Sequence, residues 1–359
     1  PFMVAIWVAF DVAILSGPLH DYFSAGYRFR SFTLEERLLT QPRVVWFYLS
    51  QFALPLPGRF SIEHDFVLSS GLLSPPSTLV AIGGLAVWLV VGLGLLARLR
   101  TRLIGFLMLW PLATLAIESS FVPLEMVFEH RMYIPTIGLL GLVGVAVSRV
   151  HWQHRWLPGV AILAGVVVVL LMVSTGERNQ VWRSSLSLQE DALRNAPNSS
   201  RVWRNYGFYA YQAGEIDKAR SAAERSLALH GMNAHAHELM GIILLDKGDL
   251  ERAQWHLDMA LRAEPENESF LNHRGEIALQ QGQYAEAEKM FRAAVARAGW
   301  NPVYYWNLAL AYEGTGACSS AKEAWRTYLS LEPSASDRQL VEEHLDSEYA
   351  SPSGTCYRQ

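Results

Sequence analysis

The strongest pattern in this chain of 359 residues is a 34-residue repeat in its C-terminal half. One register holds alanine in all four units, at Ala219, Ala253, Ala287 and Ala321. A second holds glycine, at Gly214, Gly248, Gly282 and Gly316. A third holds a small residue, at Gly207, Gly241, Gly275 and Ala309. A fixed period of this length indicates stacked units that share one core, so the pattern predicts a solenoid over residues 200–333.

Each unit predicts a helix, a turn and a second helix, with glycine in the turn because it tolerates positive φ. The period, the three registers and the closing Pro265 and Pro333 resemble the tetratricopeptide repeat (TPR) family. That resemblance implies a concave face, formed by the first helix of each pair, on which an extended peptide or a partner subunit binds. The alternative is that the aromatic residues on this face only fill the packing between repeats. The candidate binding residues on that face are Arg204, Phe208, Tyr211, Glu238, Asn272 and Trp306.

The segments beside the repeats are more polar. Residues 177–199 predict a tether and a preceding helix, and residues 334–359 predict a capping helix and a tail. Two cysteines, Cys318 and Cys356, are too few for a disulfide framework or a zinc site. A bridge between them that folds the tail onto the solenoid is one interpretation, and a reactive thiol pair is a less favoured one. We expect no metal site, and the net charge of -4 gives no electrostatic case for nucleic-acid binding.

The N-terminal half, residues 1–176, is rich in Leu, Val and Gly and poor in charge. Several apolar runs approach the length of about 20 residues that a membrane-spanning helix needs. A soluble domain with buried apolar helices is the alternative, but four such runs joined by basic turns are rare in soluble proteins. The expected fold is therefore all-α, a bundle of about five spans followed by four TPRs. The predicted spans are Pro1–Gly17, Thr78–Ala97, Leu103–Ile117, Met132–Ser148 and Trp156–Gly176.

The connections between the runs predict an orientation. Residues 98–102 and 149–155 are short and basic, and cytoplasmic loops concentrate Lys and Arg. The connections at 20–77 and 119–131 and the whole solenoid then lie on the other side. We therefore expect an integral membrane protein in contact with lipid, whose TPRs are extracytoplasmic, and periplasmic if the source is bacterial.

Residues 20–77 predict an interfacial segment within the membrane half. Thr33 and Glu36 have the spacing of a capping box, which starts a helix. Residues 44–54 are apolar and aromatic without the length to span. We expect an amphipathic helix that lies in the membrane interface, with Trp46, Phe47 and Tyr48 at the level of the headgroups.

The loop at residues 118–135 concentrates ionisable groups between two spans, where they are costly and are usually functional. The candidate catalytic residues are Glu129, His130 and Arg131. A carboxylate there could act as a general base, and Arg131 with His130 could hold a phosphate. The alternative is that Glu129 and Arg131 only pair to fix the start of the next helix.

Three stretches carry a second resemblance: Glu-Arg-Leu-Leu-Thr-Gln at 36–41, Leu-Pro-Leu-Pro to His-Asp-Phe at 54–66, and Phe-Glu-His-Arg-Met-Tyr-Ile-Pro at 128–135. They resemble bacterial relatives of the transmembrane and TPR-containing protein O-mannosyltransferases. The resemblance implies transfer of a sugar from a polyprenyl-phosphate donor to Ser or Thr of an extracytoplasmic protein that the TPRs present. Such enzymes carry an acidic pair in the first outside loop. Asp21 stands alone in that position here, so we expect the N-terminal part to be missing.

Two functions follow from the sequence. One is the protein O-glycosyltransferase, and the other is a non-catalytic, membrane-anchored TPR scaffold that binds a periplasmic or surface-complex partner. TPRs alone imply binding and not chemistry. The sequence therefore leaves open whether the chain is an enzyme.

Overall fold

The computed structural model describes residues 26, 27, 30, 32–150, 157–334 and 336–348. The described residues form 15 α-helices and no named strand. The chain divides into two compact units, Pro1–Ala196 and Pro197–Gln359, and each is described by itself. The first predicted span, Pro1–Gly17, lies outside the described residues, as do Asp21 and Cys356.

The first unit contains six of these helices and two short 3-10 segments, Pro57–Arg59 and Glu129–Met132. The six helices are α1 (Leu34–Ala53), α2 (Ser77–Leu96), α3 (Arg102–Leu115), α4 (Tyr133–Arg149), α5 (Leu157–Val181) and α6 (Ser185–Asn195).

Helix α1 begins at the predicted capping box. The Glu36 N–H donates to Thr33 Oγ1 at 3.2 Å, and the Thr33 N–H donates to the Glu36 carboxylate at 2.8 Å. The helix then continues through Pro42, so it is longer than the interfacial helix that the sequence predicts. The expectation that Tyr48 lies at headgroup level is wrong, because its side chain is fully buried. The core of this unit contains Phe32, Val44, Val45, Tyr48, Leu49, Leu115, Met126, Val127, Met132 and Leu139.

Helices α2, α3 and α4 pack side by side through glycines that allow close approach. A Cβ on Gly105 would lie 2.3 Å from the backbone nitrogen of Leu96, so α3 touches the backbone of α2. A Cβ on Gly138 would lie 2.8 Å from the side chain of Trp110, which brings α4 equally close to α3. Within a bilayer, where lipid is as apolar as leucine, such close contact is a main source of helix association.

Three helices among the described residues are long and apolar enough to cross a membrane, namely Ser77–Leu96, Glu129–Arg149 and Leu157–Val181. Arg102–Leu115 is apolar but shorter. These positions agree with four of the predicted apolar runs, and the five-span bundle itself is not confirmed. Helix α5 has no buried residue over its 25 positions.

Helix α6, which the sequence predicts as a helix preceding the solenoid, packs in the first unit. Arg178 at the end of α5 pairs with Asp191 of α6 at 2.6 Å. The Asp65 N–H donates to the carbonyl of Asn195, the last residue of α6, at 3.1 Å. The boundary between the units therefore falls just after α6.

The second unit is the predicted solenoid. Its four turn glycines all have positive φ, between 71° and 78°. The register of small residues lies where the two helices of a pair approach each other closely. In the third pair, a Cβ on Gly275 would lie 2.5 Å from the ring of the buried Phe291. Four helix pairs repeat every 34 residues: α7 (Ser200–Gln212) with α8 (Ile216–Leu229), α9 (Ala234–Asp246) with α10 (Leu250–Ala263), α11 (Glu268–Gln280) with α12 (Tyr284–Arg297), and α13 (Pro302–Thr315) with α14 (Cys318–Leu331).

The last helix, α15 (Arg338–Glu348), packs against the fourth repeat, as expected of a cap. His344 Nε2 lies 2.7 Å from the buried Glu313 carboxylate, and the Tyr328 hydroxyl donates to Asp337 at 2.7 Å. Cys318, at the start of α14, is disulfide-bonded. Its predicted partner Cys356 lies outside the described residues, so the pairing itself stays a prediction.

Candidate functional site

The concave side of the solenoid contains a groove of ≈ 510 Å³ between the first helices of the first three repeats. Helices α7, α9 and α11 form its walls, and the small residues Gly207, Gly241 and Gly275 let the second helix of each pair approach the first closely. The groove is lined by Phe208, Tyr211, Gln212, His235, Glu238, Ile242, Leu245, Asp246, Asn267, Glu268, Ser269, His273 and Glu276.

Glu238 of α9 lies at the centre of a polar network in this groove. His235 Nδ1 lies 3.3 Å from one carboxylate oxygen, and His273 Nδ1 of α11 lies 3.3 Å from the other. The Ser269 hydroxyl donates to the same carboxylate. Burial by itself raises the pKa of Glu238, but His235, His273 and Ser269 together outweigh it and lower the pKa to about 2. The carboxylate is therefore ionised at every physiological pH.

The pKa of His273 shifts in the opposite direction from that of Glu238. Burial lowers the pKa of this imidazole, but Glu238, Glu276 and Asp246 outweigh burial and raise the pKa above its ordinary value of 6.5. The carboxylates thus favour the imidazolium form. The network joins two neighbouring repeats, because Glu238 and His273 belong to different helix pairs.

Two further carboxylates of the groove are held by neighbouring side chains. The Tyr211 hydroxyl donates to Asp246 at 2.6 Å, and burial together with Asp246 raises the pKa of this phenol to about 12. The Glu276 carboxylate accepts from Asn272 at 2.7 Å and from Asn307 at 3.0 Å. These bonds fix the direction of each carboxylate while leaving lone pairs for a ligand.

The groove also has an apolar part. Phe208 is 45% exposed although it lies on the face of α7 that lines the groove. Ile242, its equivalent 34 residues later, lines the same groove. A peptide side chain that covers Phe208 would remove apolar surface from water, which is favourable.

The six predicted binding residues divide by location. Phe208, Tyr211 and Glu238 line the groove. Asn272 is buried beneath it, where it orients Glu276. Arg204 is half-buried, and its Nη2 donates to Asn205 at 2.8 Å. The ring centroids of Trp306 and Trp325 lie 4.7 Å apart in the fourth repeat. This contact matches the alternative in which aromatic residues of the concave face fill the packing between helices.

Sequence reasoning missed His235, Asp246, Ser269 and His273. A signal for two of them was present, because His235 and Ser269 occupy the same register 34 residues apart. Both lie three residues before a predicted concave position, Glu238 or Asn272, and residues three apart share a helix face. The role of His273 depends on contact between repeats, which the sequence does not reveal.

In the first unit, two of the three stretches that carry the glycosyltransferase resemblance, 54–66 and 128–135, are in contact through Glu129, and the stretch at 36–41 binds the loop that leads into 128–135. Arg37, fully buried on α1, donates to the carbonyls of Glu118 (2.6 Å), Ser120 (2.8 Å) and Leu124 (2.6 Å). Gln41, one turn later, donates to the Met126 carbonyl at 3.1 Å. Helix α1 therefore holds the 118–132 loop through side chains that bind its backbone.

The candidate catalytic residues lie in this loop. Glu129 accepts from the Ser61 N–H at 2.6 Å and lies 3.0 Å from His64 Nε2, so it ties the loop to residues 61–64. Arg131 is buried and pairs with Glu118 at 3.2 Å, while its Nη1 has no hydrogen-bond partner among the described residues. His130 is exposed and its ring lies 5.0 Å from that of Phe128. Glu129 thus contacts His64 and Arg131 pairs with Glu118, so the alternative in which Glu129 and Arg131 pair with each other is wrong. A catalytic role stays a prediction.

Among the described residues, no group of three or more His, Cys, Asp or Glu side chains could hold a metal ion.

The four helix pairs define a helical-repeat protein. The family model for the tetratricopeptide repeat matches residues 207–255 and 238–302, so the repeats are TPRs. No curated protein matches the chain.

Several solved structures are similar to part of the chain. TTC0263, a thermophilic TPR protein of Thermus thermophilus, is 20% identical over 47% of this chain and 91% of its own, with a TM-score of 0.39. YrrB, described as a TPR protein with an unusual peptide-binding site, is 16% identical over 48% of this chain and 87% of its own, with a TM-score of 0.37. MamA from Desulfovibrio magneticus is 23% identical over 43% of this chain and 97% of its own, with a TM-score of 0.35.

Proposed function

We propose that this TPR protein is a membrane-anchored receptor whose concave groove binds an extended peptide with a basic side chain. The observation that carries the proposal is the composition of the groove. Its lining contains four carboxylates, Glu238, Asp246, Glu268 and Glu276, and no Lys or Arg among the described lining residues.

Charge complementarity selects the ligand. Glu238 remains ionised because its pKa is about 2, and hydrogen bonds from side chains orient Asp246 and Glu276. A Lys or Arg side chain entering the groove meets fixed acceptors, so these acceptors need little reorganisation on binding. Like-charged peptides are repelled, which adds specificity.

The exposed ring of Phe208 supplies the apolar part of the contact, beside Ile242. An extended peptide directs alternate side chains to opposite sides. We therefore infer a ligand with a basic residue and an apolar residue directed to the same side.

The anchor is the apolar part of the first unit. The support for membrane insertion is the presence of three long apolar helices, of which α5 is separated in sequence from the unit boundary by helix α6. The basic segments at 98–102 and 149–155 favour an orientation with the solenoid outside the cytoplasm. In that orientation the ligand is an extracytoplasmic peptide or protein segment.

The test is peptide binding to the full chain in lipid nanodiscs, with three synthetic peptides of equal length that differ only in a central Lys, Glu or Gln. The Lys peptide should bind tightest, and added salt should weaken it. Asp246→Asn should lower its affinity about 5-fold, equivalent to about 1 kcal/mol. The matched control is Asp217→Asn, because Asp217 is an exposed carboxylate of α8 outside the groove. Equal affinity for all three peptides would refute the charge selection, and no binding at all would refute the receptor function.

A second candidate function is the polyprenyl-phosphate-dependent O-glycosyltransferase. The observation that favours it is the contact between two of the resembling stretches, 54–66 and 128–135, made by Glu129 with Ser61 and His64. His130 is the residue to test, because it is exposed and its removal leaves the buried contacts of Glu129 and Arg131 in place. A sugar-transfer assay with a polyprenyl-phosphate donor should show loss of activity in His130→Ala. Absence of transfer by the unmodified protein argues against this candidate.

A further inference from the structure

A short turn before α2 exposes two adjacent leucines. The Ser70 N–H donates to the Ser74 carbonyl at 3.0 Å, and the Ser74 N–H donates to the Gly71 carbonyl at 3.3 Å, which closes the turn. Leu72 and Leu73 at its tip are 53% and 68% exposed. A turn tip in contact with water usually carries polar residues or glycine, so two leucines here need an explanation.

The turn is fixed against the first turn of α2. The Leu79 N–H donates to the Leu72 carbonyl at 3.1 Å, and the Thr78 N–H donates to the Pro75 carbonyl at 3.0 Å. Below the tip, the hydroxyls of Ser69 and Thr78 lie 2.8 Å apart. The two leucines therefore stand beside the beginning of α2, where Val80 is also exposed, at 74%.

The apolar surface of α2 is continuous with this turn. The sequence from Phe66 to Ala97 contains no Asp, Glu, Lys, Arg or His. Helix α2 has 20 residues, which at about 1.5 Å each matches the hydrocarbon thickness of about 30 Å. The turn extends the uncharged surface beyond the N-terminal end of the helix.

The two ends of α2 differ in the charge of the residues that flank them. The C-terminal end is followed at once by Arg98, Arg100 and Arg102, which place charge where the helix leaves the apolar layer. At the N-terminal end the nearest ionisable residue in the sequence is Asp65. Only at the N-terminal end do uncharged residues continue beyond the helix, so only this end is suited to contact apolar acyl chains as well as headgroups.

We propose that the Leu72-Leu73 turn inserts into the membrane interface beside α2 and that its ligand is the lipid bilayer. Apolar side chains that reach the boundary between headgroups and acyl chains anchor a protein at a defined depth. This inference rests on the membrane anchoring in the proposed function. It replaces the predicted interfacial role of Tyr48, which is buried, with a segment that is exposed.

The experiment measures depth directly in the full chain. Leu73→Cys, Val87→Cys and Ser221→Cys are each spin-labelled in a background with Cys318→Ser and Cys356→Ser, and reconstituted in phosphatidylcholine–phosphatidylglycerol vesicles. Collisions with oxygen report lipid, and collisions with a water-soluble nickel complex report water. Val87 lies in the middle of α2 and is 64% exposed, and Ser221 is an exposed residue of the solenoid, so they serve as references for lipid and water.

We expect the oxygen-to-nickel ratio at Leu73 to be several-fold above that at Ser221 and to approach that at Val87. A water-like ratio at Leu73 with a lipid-like ratio at Val87 overturns the turn insertion and leaves the membrane anchor intact. Low values of both collision rates at Leu73 indicate a protein partner on the turn and also overturn it. A water-like ratio at Val87 overturns the anchor and this inference together.

Discussion

His273 Nδ1 lies 3.3 Å from Glu238 Oε1, and the two residues belong to neighbouring repeats. This pair couples the electrostatics of the groove to the packing of one repeat on the next. Because each partner shifts the pKa of the other toward its charged form, the pair contributes to stability over a limited pH range.

The sign for each group follows from its shift. The folded pKa of Glu238 is lowered from 4.5 to about 2, so its contribution is present above pH 4.5 and is lost as the pH falls through about 2. The folded pKa of His273 is raised above 6.5, so its contribution is present below pH 6.5 and is lost as the pH rises through the folded value. Both contributions are present together between about pH 4.5 and 6.5.

Glu238→Gln should therefore lower the free energy of unfolding of the solenoid by about 2 kcal/mol near pH 6, since it leaves His273 without its carboxylate. It should also return the pKa of His273 toward 6.5, measured by NMR titration of its ring protons. Glu224→Gln, at an exposed carboxylate of α8, is the control and should change neither quantity. An unchanged His273 titration in Glu238→Gln would show that the pair is not coupled.

The two imidazoles of His237 and His256 should make the second repeat sensitive to acid. Their Nδ1 atoms lie 3.0 Å apart. Burial lowers the pKa of His237, and burial, His237 and Arg252 lower the pKa of His256 to about 4. The folded state thus binds fewer protons than the unfolded state below pH 6.5, so stability falls as the pH decreases from there toward 4.

His256→Gln should reduce this acid loss by about 1 kcal/mol, a value discounted because the ring is only half-buried. The measurement is hydrogen exchange of the α9 amides at pH 7 and pH 5, corrected for the intrinsic effect of pH on exchange. His230→Gln, at an exposed histidine, should leave the pH dependence as it is. The same loss of protection in His256→Gln as in the unmodified protein contradicts the prediction.

Two glycines of the third repeat should differ in their tolerance of alanine. Gly275→Ala places a methyl group 2.5 Å from the buried ring of Phe291, so it should cost about 2–3 kcal/mol through overpacking. Gly282 has φ of 71° with open space around its Cβ position, so Gly282→Ala should cost only about 1 kcal/mol. Urea unfolding measures the free energy of unfolding of both variants. Equal losses of stability would show that the close contact between Gly275 and Phe291 does not decide which glycine tolerates alanine.

Arg37 should be essential for the order of the 118–132 loop. Its removal leaves three carbonyls, those of Glu118, Ser120 and Leu124, without their donor. Arg37→Gln should cost about 3 kcal/mol in the first unit and increase hydrogen exchange across the loop. Arg183→Gln, at an exposed arginine, is the control. Unchanged exchange in the loop would mean that packing alone orders it.

The local features of the chain were predictable because they depend on residues close in sequence. The period of 34 residues located all four helix pairs, and the turn glycines have the positive φ that their positions require. The capping box at Thr33 and the apolar runs were correct for the same reason. Three of six predicted groove residues, Phe208, Tyr211 and Glu238, line the groove because a fixed register on a helix fixes its face.

Contacts between distant segments were decided by the tertiary structure. The sequence shows an aromatic run at residues 46–48, but only packing against the 118–132 loop buries Tyr48, whose hydroxyl accepts from the Phe128 N–H at 2.7 Å. In the same way, the sequence places charged residues at Glu129 and Arg131, and the fold supplies the partners His64 and Glu118. The repeat period thus determined the solenoid by itself, since each unit needs only its neighbours. The electrostatics of the groove arose only where neighbouring repeats brought Glu238 and His273 together, because a pKa depends on distances that periodicity does not specify.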